Sequence, residues 1–217
     1  MANQEYKNPI SKYVHEYMYW RKQVDNYGPL KNDHYEEIFT TLFEVEKSFY
    51  DDLKILDMGC GPRGSLEWAD NAAQRVGLDP LAEAYQFLIN GSHAMEYTPD
   101  FAESISFDDN HFDILTSINS LDHVDKSDEV IAEMKRVVKP GGYLFITVEV
   151  CQHKKYCEPS PVNWKLAQKF TDACDIIDEK HYTYENGVAN SIKAATPYNH
   201  DAPQTESGVL RLKLKMR

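Results

Sequence analysis

Cysteine is scarce in this chain, with four residues in 217. Cys60, Cys151, Cys157 and Cys174 lack the density of a disulfide scaffold, which fits a reducing compartment. Basic residues are short as well: 23 Lys and Arg stand against 35 Asp and Glu, for a net charge of -12. An acidic surface repels phosphate backbones and no basic patch of useful size interrupts it, so nucleic acid is disfavoured as substrate or partner. Long apolar runs are missing too. No segment approaches a membrane span and residues 1–20 carry no apolar signal segment, so no membrane partner and a cytoplasmic location are expected. Internal repeats and low-complexity segments are absent. What remains is a chain long enough for one α/β domain with a full core, 1–217, read as a helical cap over 1–48 and a core over 49–217.

The core opens on Ile55-Leu56-Asp57-Met58-Gly59-Cys60-Gly61-Pro62-Arg63-Gly64, followed by Val76-Gly77-Leu78-Asp79-Pro80. That is an apolar strand, a glycine loop, a short helix and a second strand ending in an acid. Glycine is needed where a strand turns sharply and the backbone must touch a ligand, because a Cβ would block both the dihedrals and the approach. A carboxylate ending the next strand can take two ribose hydroxyls. Together they point to a nucleoside-containing cofactor at the carboxyl edge of a parallel sheet; the plainer reading is a tight strand-to-helix turn with no ligand. Two cofactors fit the same letters. Gly59, Gly61 and Gly64 satisfy the G-x-G-x-x-G dinucleotide fingerprint, with Asp79 at ribose distance, which would make the protein an NAD(P)-dependent oxidoreductase. Against it, a dinucleotide needs a free helix N-terminus for its pyrophosphate, and no Tyr-x-x-x-Lys pair follows the loop, Tyr50-x-x-x-Lys54 lying before it.

Asp57, two residues ahead of Gly59, completes an acid-x-Gly-x-Gly pattern that resembles motif I of class I S-adenosylmethionine (SAM) methyltransferases. SAM carries no phosphate and needs only close backbone approach for its methionine part, which suits Pro62 and Arg63 in the turn; Arg63 stands where the family often has a third glycine, with Gly64 one place later. Residues 102–113 resemble the stretch leading from the adenine pocket into strand four, 113–124 resemble motif IV with the substrate-facing loop, and 139–146 resemble the turn into strand five. The resemblance covers residues 50–185 and points to the small-molecule methyltransferases. It implies an α/β, Rossmann-like seven-stranded sheet of order 3-2-1-4-5-7-6, strand seven antiparallel, flanked by helices beneath the N-terminal cap. It also implies methyl transfer from SAM to an O or N atom of a small-molecule acceptor, leaving S-adenosylhomocysteine, by a monomer or homodimer.

For the cofactor the resemblance places Gly59, Cys60 and Gly61 against the methionine part and Asp79 and Pro80 at the ribose. Asp57 organises the loop and meets the SAM ammonium, Leu81 lies under the adenine, and Asn119 closes the site from strand four. The acid that often meets the adenine amino group is replaced here by Phe101, so Asp100, Glu103 or the backbone must substitute. The Asn-Pro-Pro-aromatic motif of many base-amino methyltransferases is missing, since Asn119 is followed by Ser120 and Leu121. A non-catalytic SAM-binding regulatory protein is the remaining alternative, should the loop after Asn119 block the acceptor pocket.

Methyl transfer needs an acceptor held in line, water excluded, and a proton removed where the acceptor is a hydroxyl or ammonium. His123 follows strand four and titrates near neutrality when unperturbed, so it is the candidate base, with Asp122 or Asp125 to orient it; the plainer reading is a packing histidine. In the cap, Tyr13, Tyr17, Trp20 and Val24 share one helical face, ended by Gly28-Pro29. That face either packs on the core or lids the acceptor pocket, in which case Tyr13, Tyr17, Trp20 and His123 would bind substrate. Cys151-x-His153-x3-Cys157 has soft ligands but no common zinc spacing and no evident fourth ligand, and no metal is expected.

Along the core, strands are expected at 53–58, 75–78, 113–118, 143–148, 176–184 and 209–217, with helices at 65–73, 81–90, 128–139 and 163–174. In the helix before Pro140, Val130, Met134 and Val137 face the sheet. The apolar-basic alternation from Val209 to Arg217 is a half-buried strand with its basic side solvated by default. Residues 185–208 form a polar loop with one helical turn that could reach the active site.

Overall fold

The six expected strands form, and a short polar one that the pattern does not locate is added as β3: β1 Lys54–Met58, β2 Gln74–Leu78, β3 Glu96–Thr98, β4 Phe112–Ile118, β5 Val138–Val150, β6 Cys174–Thr183 and β7 Gly208–Met216. They form one sheet in the order β3-β2-β1-β4-β5-β7-β6. The first five run parallel, and β7 lies antiparallel to both β5 and β6, as the sequence resemblance implies. A computed structural model describes residues 10–89, 91–151, 158–201 and 207–217 of the chain. Among them no helix is long and apolar enough to cross a membrane.

A parallel sheet must be covered on both faces, and Ile55, Leu56, Ile114 and Leu115 are fully buried. One face packs on α4 (Ser127–Val137), through Val130, Met134 and Val137, and on the 3-10 turn Leu166–Phe170. The other packs on α2 (Tyr35–Phe39) and the 3-10 turns Thr41–Phe43 and Lys47–Tyr50. There Phe43 stacks on Phe145 at 4.8 Å between centroids, each ring contributing about 1.5–3 kcal/mol by burial. Before these, α1 (Ile10–Tyr27) ends as expected, at Gly28, whose φ is +80° and whose N–H donates to Val24 O.

Two expected helices do not form, and the reason is shared. No helix lies in 65–73. The carbonyls of Ser65, Leu66 and Glu67 accept from the Trp68 indole and the Arg75 guanidinium, and the backbone bonds there span three residues. In 163–174 only the 3-10 turn forms, where Lys135 takes Lys169 O, Thr171 takes Gln168 O and Arg217 takes Thr171 O. Side chains, Arg75, Lys135 and Arg217 from outside the segments and Trp68 and Thr171 from within them, thus occupy carbonyls that an α-helix needs for its own amides. The expected helix at 81–90 shrinks to α3 (Ala82–Tyr85), continued by turns. Lys139 to Gly142, expected as a turn, is an irregularity inside β5, where pairing jumps from Phe112↔Val138 to Ile114↔Tyr143.

The tail differs from its default at one end. The basic side of β7 is covered at Arg211, which is 2% exposed and donates to Leu42 O, Glu44 and Asp178; Lys213 reaches Phe43 O but stays half-exposed with Lys215, and Arg217 is exposed. The described part of 185–208 folds onto β6 and β7 through α5 (Val188–Ala194), with Thr183 N–H donating to Thr196 O. It takes no part in the cavity described next.

Candidate functional site

Strand order reverses between β1 and β4, which opens a crevice at the carboxyl ends of the strands, where open α/β sheets bind ligands. A cavity of about 680 Å³ lies there, within the roughly 300–1,000 Å³ usual for small-molecule sites. Its floor is the glycine loop. Gly59 and Gly61 have φ of +75° and +59°, the left-handed region that glycine enters freely. Asp57, 3% exposed, ties the loop to the sheet by accepting from Ser65 Oγ at 2.5 Å and Thr116 Oγ1 at 2.6 Å. Asp79 ends β2 and accepts from the N–H groups of Gly61 (3.2 Å) and Leu81 (2.9 Å). Burial raises both carboxyls to a pKa of about 6, partly offset at Asp57 by the two hydroxyls and at Asp79 by the two amides.

The predicted cofactor residues Asp57, Gly59, Cys60, Gly61, Asp79, Pro80, Leu81, Glu103 and Asn119 all line this cavity. Glu103 is partly engaged, its Oε1 accepting from the Asp125 and Lys126 amides. Asn119 adopts φ +53°, a conformation asparagine tolerates, with its N–H on Thr147 O and its Oδ1 accepting from Glu149 N–H.

The helix α1 roofs the cavity. Tyr13 packs edge-on to Phe101 at 5.9 Å, and burial with nearby Asp125 raises its phenol pKa to about 12. Trp20 lies on the glycine loop, 3.4 Å from where a Gly61 Cβ would stand. Its indole N–H donates to Glu16 and the Arg63 guanidinium sits 5.2 Å from its ring. Tyr17 is half-buried on the same helix face but is not a wall of the cavity.

His123, expected on the acceptor side, faces the cavity, 34% exposed, with Nε2 4.0 Å from Asp122 Oδ1. Asp122 lies behind it, outside the walls, and is 3% exposed; burial pushes its carboxyl up and His123 pulls it down. At 4.0 Å the two are not hydrogen-bonded. The Cys151, His153 and Cys157 cluster cannot be described, since His153 and Cys157 lie outside the described residues.

Sequence reasoning missed Lys12, Ser120, Arg63 and Glu158, which also line the cavity. Lys12, 6% exposed, donates to His123 O at 2.9 Å and pairs with Asp125 at 2.9 Å. A lysine one residue before Tyr13 and four before Glu16 shares the inward helical register, and that position is its one sequence signal. Ser120 Oγ donates to Met58 O at 2.7 Å, a contact across 62 residues that no local pattern announces.

Residues 56–146 match the family model described as "Methyltransferase domain". Over 100 residues the chain is 34% identical to the ubiquinone biosynthesis O-methyltransferase of Pseudomonas fluorescens, covering 43% of each protein. Over 88 residues it is 39% identical to the ubiquinone/menaquinone biosynthesis C-methyltransferase UbiE of Pseudomonas putida, covering 40% of this chain and 32% of that one. The chain thus spans less than half the length of these curated relatives. Among solved structures, the N-methyltransferase NodS from Bradyrhizobium japonicum is similar with a TM-score of 0.56 at 14% identity, covering 85% of this chain and 98% of that one. The YcgJ protein from Bacillus subtilis gives a TM-score of 0.57 at 16% identity, with the same coverage of 85% and 98%; at such identities the likeness is one of fold. The sheet order, the glycine loop and the family match agree: over residues 56–146 this chain is similar to a methyltransferase domain.

Proposed function

We propose that the protein transfers a methyl group from SAM to an oxygen or nitrogen atom of a small-molecule acceptor, in the cytoplasm, with the cap 1–48 and the core 49–217 working as one domain. The observation that carries this reading is the loop after β1. It has two left-handed glycines under a cavity and a carboxylate at the end of β2, yet no helix N-terminus follows it among the described residues. A pyrophosphate would lack its usual seat, whereas a methionine moiety needs only the open backbone. The curated relatives, named for O- and C-methylation in quinone biosynthesis, support a small-molecule acceptor.

The residues fit the cofactor in their chemistry. Gly59 and Gly61 admit its methionine part to the backbone, Asp79 accepts from the ribose hydroxyls, and Asp57 holds the loop in shape. When bound, SAM supplies a methyl that its sulfonium already makes electrophilic. The chain's task is then positioning and dryness. Tyr13 and Trp20 roof the cavity, and an acceptor hydroxyl loses its proton at the His123 end of it.

Calorimetry with SAM, S-adenosylhomocysteine and NAD tests the reading directly. Heat is expected with the first two and none with NAD; the reverse pattern would overturn it. Asp79→Ala removes charged hydrogen bonding of about 1.5–3 kcal/mol per bond, so the loss of even one bond should lower SAM affinity about tenfold to a hundredfold while the protein stays folded.

Trp20→Ala separates a roof from a core residue. The half-buried indole lies against the glycine loop and belongs to neither core cluster, so the melting temperature should move by only a few degrees while SAM affinity drops about tenfold. A large fall in melting temperature with unchanged affinity per folded molecule would sink the lid.

A further inference from the structure

Asp122 Oδ1 is buried and accepts no hydrogen bond from any described residue. A buried carboxylate oxygen without a donor is costly, on the order of 1–3 kcal/mol or more, and usually marks a missing partner. Here the oxygen faces two other metal-binding groups. Asp122, His123 and Glu158 each bring one ligand atom to within 4.8 Å of the others, with His123 Nε2 4.0 Å from Asp122 Oδ1.

The backbone that carries the three is held from several sides. The His123 N–H bonds Ser120 O, Ser160 N–H bonds Asp122 O and so brings the Glu158 segment alongside, and the Lys12 ammonium clamps His123 O. These groups belong to the loop after β4, the segment after β5 and the cap helix, so the whole fold sets their spacing.

We propose that Asp122, His123 and Glu158 form a divalent-cation site at the acceptor end of the cavity. One imidazole and two carboxylates suit Mn²⁺ or Zn²⁺ better than Mg²⁺, which prefers an all-oxygen octahedron with several waters. Three protein ligands leave a coordination position open, and His123 and Glu158 both stand on the cavity wall, so that position faces the space left for the acceptor. An acceptor hydroxyl coordinated there is acidified and gives up its proton to water, leaving an oxyanion as the nucleophile. The imidazole then ligates instead of taking the proton itself. This role rests on the methyl-transfer reading of the cavity; the binding of the cation does not.

The test is a Mn²⁺ titration of the full chain followed by electron paramagnetic resonance, with Zn²⁺ calorimetry in parallel, on the wild type and on Asp122→Asn, His123→Ala and Glu158→Gln. One Mn²⁺ per chain is expected, weakened at least about tenfold by each change, with SAM binding retained as proof of fold. An absence of stoichiometric binding, or affinity unchanged in both Asp122→Asn and Glu158→Gln, overturns the site. If SAM binds while the cation does not, the cation site fails and the cofactor reading stands; if the cation binds in all the expected ways and SAM does not bind, the methyl-transfer reading fails and the site stands.

Discussion

Gly59→Ala is expected to lower SAM affinity by more than about a hundredfold and to reduce stability. At φ +75° an alanine carries the left-handed penalty of about 1–2 kcal/mol. Its Cβ would also stand 2.3 Å from Ser120 Cβ and 2.7 Å from Ser120 Oγ. Ser120 has little room to yield, since its hydroxyl is fixed on Met58 O at 2.7 Å and against Ser117 Oγ at 2.8 Å, and Leu121 beside it is fully buried. Overpacking of this kind costs about 1–3 kcal/mol. The strain falls on the segment that must accept the cofactor, so binding suffers more than folding. Gly61→Ala is the contrast: its Cβ meets only Trp20, at 3.4 Å, and the cost is mainly the dihedral. Ser120→Gly combined with Gly59→Ala should restore the steric part of the loss and leave the dihedral part. Calorimetry and thermal unfolding on the four proteins check this, and a Gly59→Ala affinity within threefold of wild type would mean that the loop does not hold the ligand.

The sheet was legible in the sequence because strand identity depends on local apolar pattern, and the motif order then fixes strand order. The runs at Ile55, Val76, Ile114, Leu144 and Leu210 all became strands in the expected positions. Helices on the sheet's flanks were less legible. Residues 65–73 and 163–174 have helical composition, but Arg75, Trp68, Lys135 and Arg217 take their carbonyls, and those competitors are set by tertiary placement. The same limit explains Arg211. Alternation correctly predicts β7, yet only the folded cap shows that Leu42 and Glu44 take up Arg211.

Most of the residues expected at the cofactor sit in two short runs, 57–61 and 79–81, each at a strand end, which is why the sequence could group them; Glu103 and Asn119 join them on the cavity wall from elsewhere. The end of the cavity proposed for the acceptor is assembled from distant pieces: Lys12 from the cap, His123 from the loop after β4 and Glu158 from the segment after β5. No window of sequence contains them together. Asp122 and His123 were found through the strand that precedes them; Lys12 and Glu158 needed the fold.

Between pH 4 and 7 the ligand-free protein is expected to lose stability while its affinity for SAM rises. Burial lifts Asp57 and Asp79 from 3.8 to about 6. Their folded-state pKa lies above the unfolded one, so within this window the native chain holds more protons and the unfolding free energy falls as pH climbs. A shift of about two units is worth roughly 3 kcal/mol per group; the contribution is complete below pH 4 and gone above the folded value near 6. Paired carboxylates run the other way. Asp113, held by Lys139 at 2.6 Å, and Glu133, held by Arg136, sit below their ordinary values and lose their contribution only as the solution grows more acid still. Ribose hydroxyls donate best to the ionised Asp79, so binding must expel the proton that burial retains. Affinity should therefore climb about fivefold from pH 5 to pH 6, about twofold more from pH 6 to pH 7, and level off above. Asp79→Asn, with no proton to lose, should flatten that profile and remove its share of the stability slope. Titration calorimetry at pH 5, 6 and 7, with denaturant unfolding of the ligand-free chain at the same values, measures both. A flat affinity profile in the wild type would show that the Asp79 carboxylate does not hold the ribose.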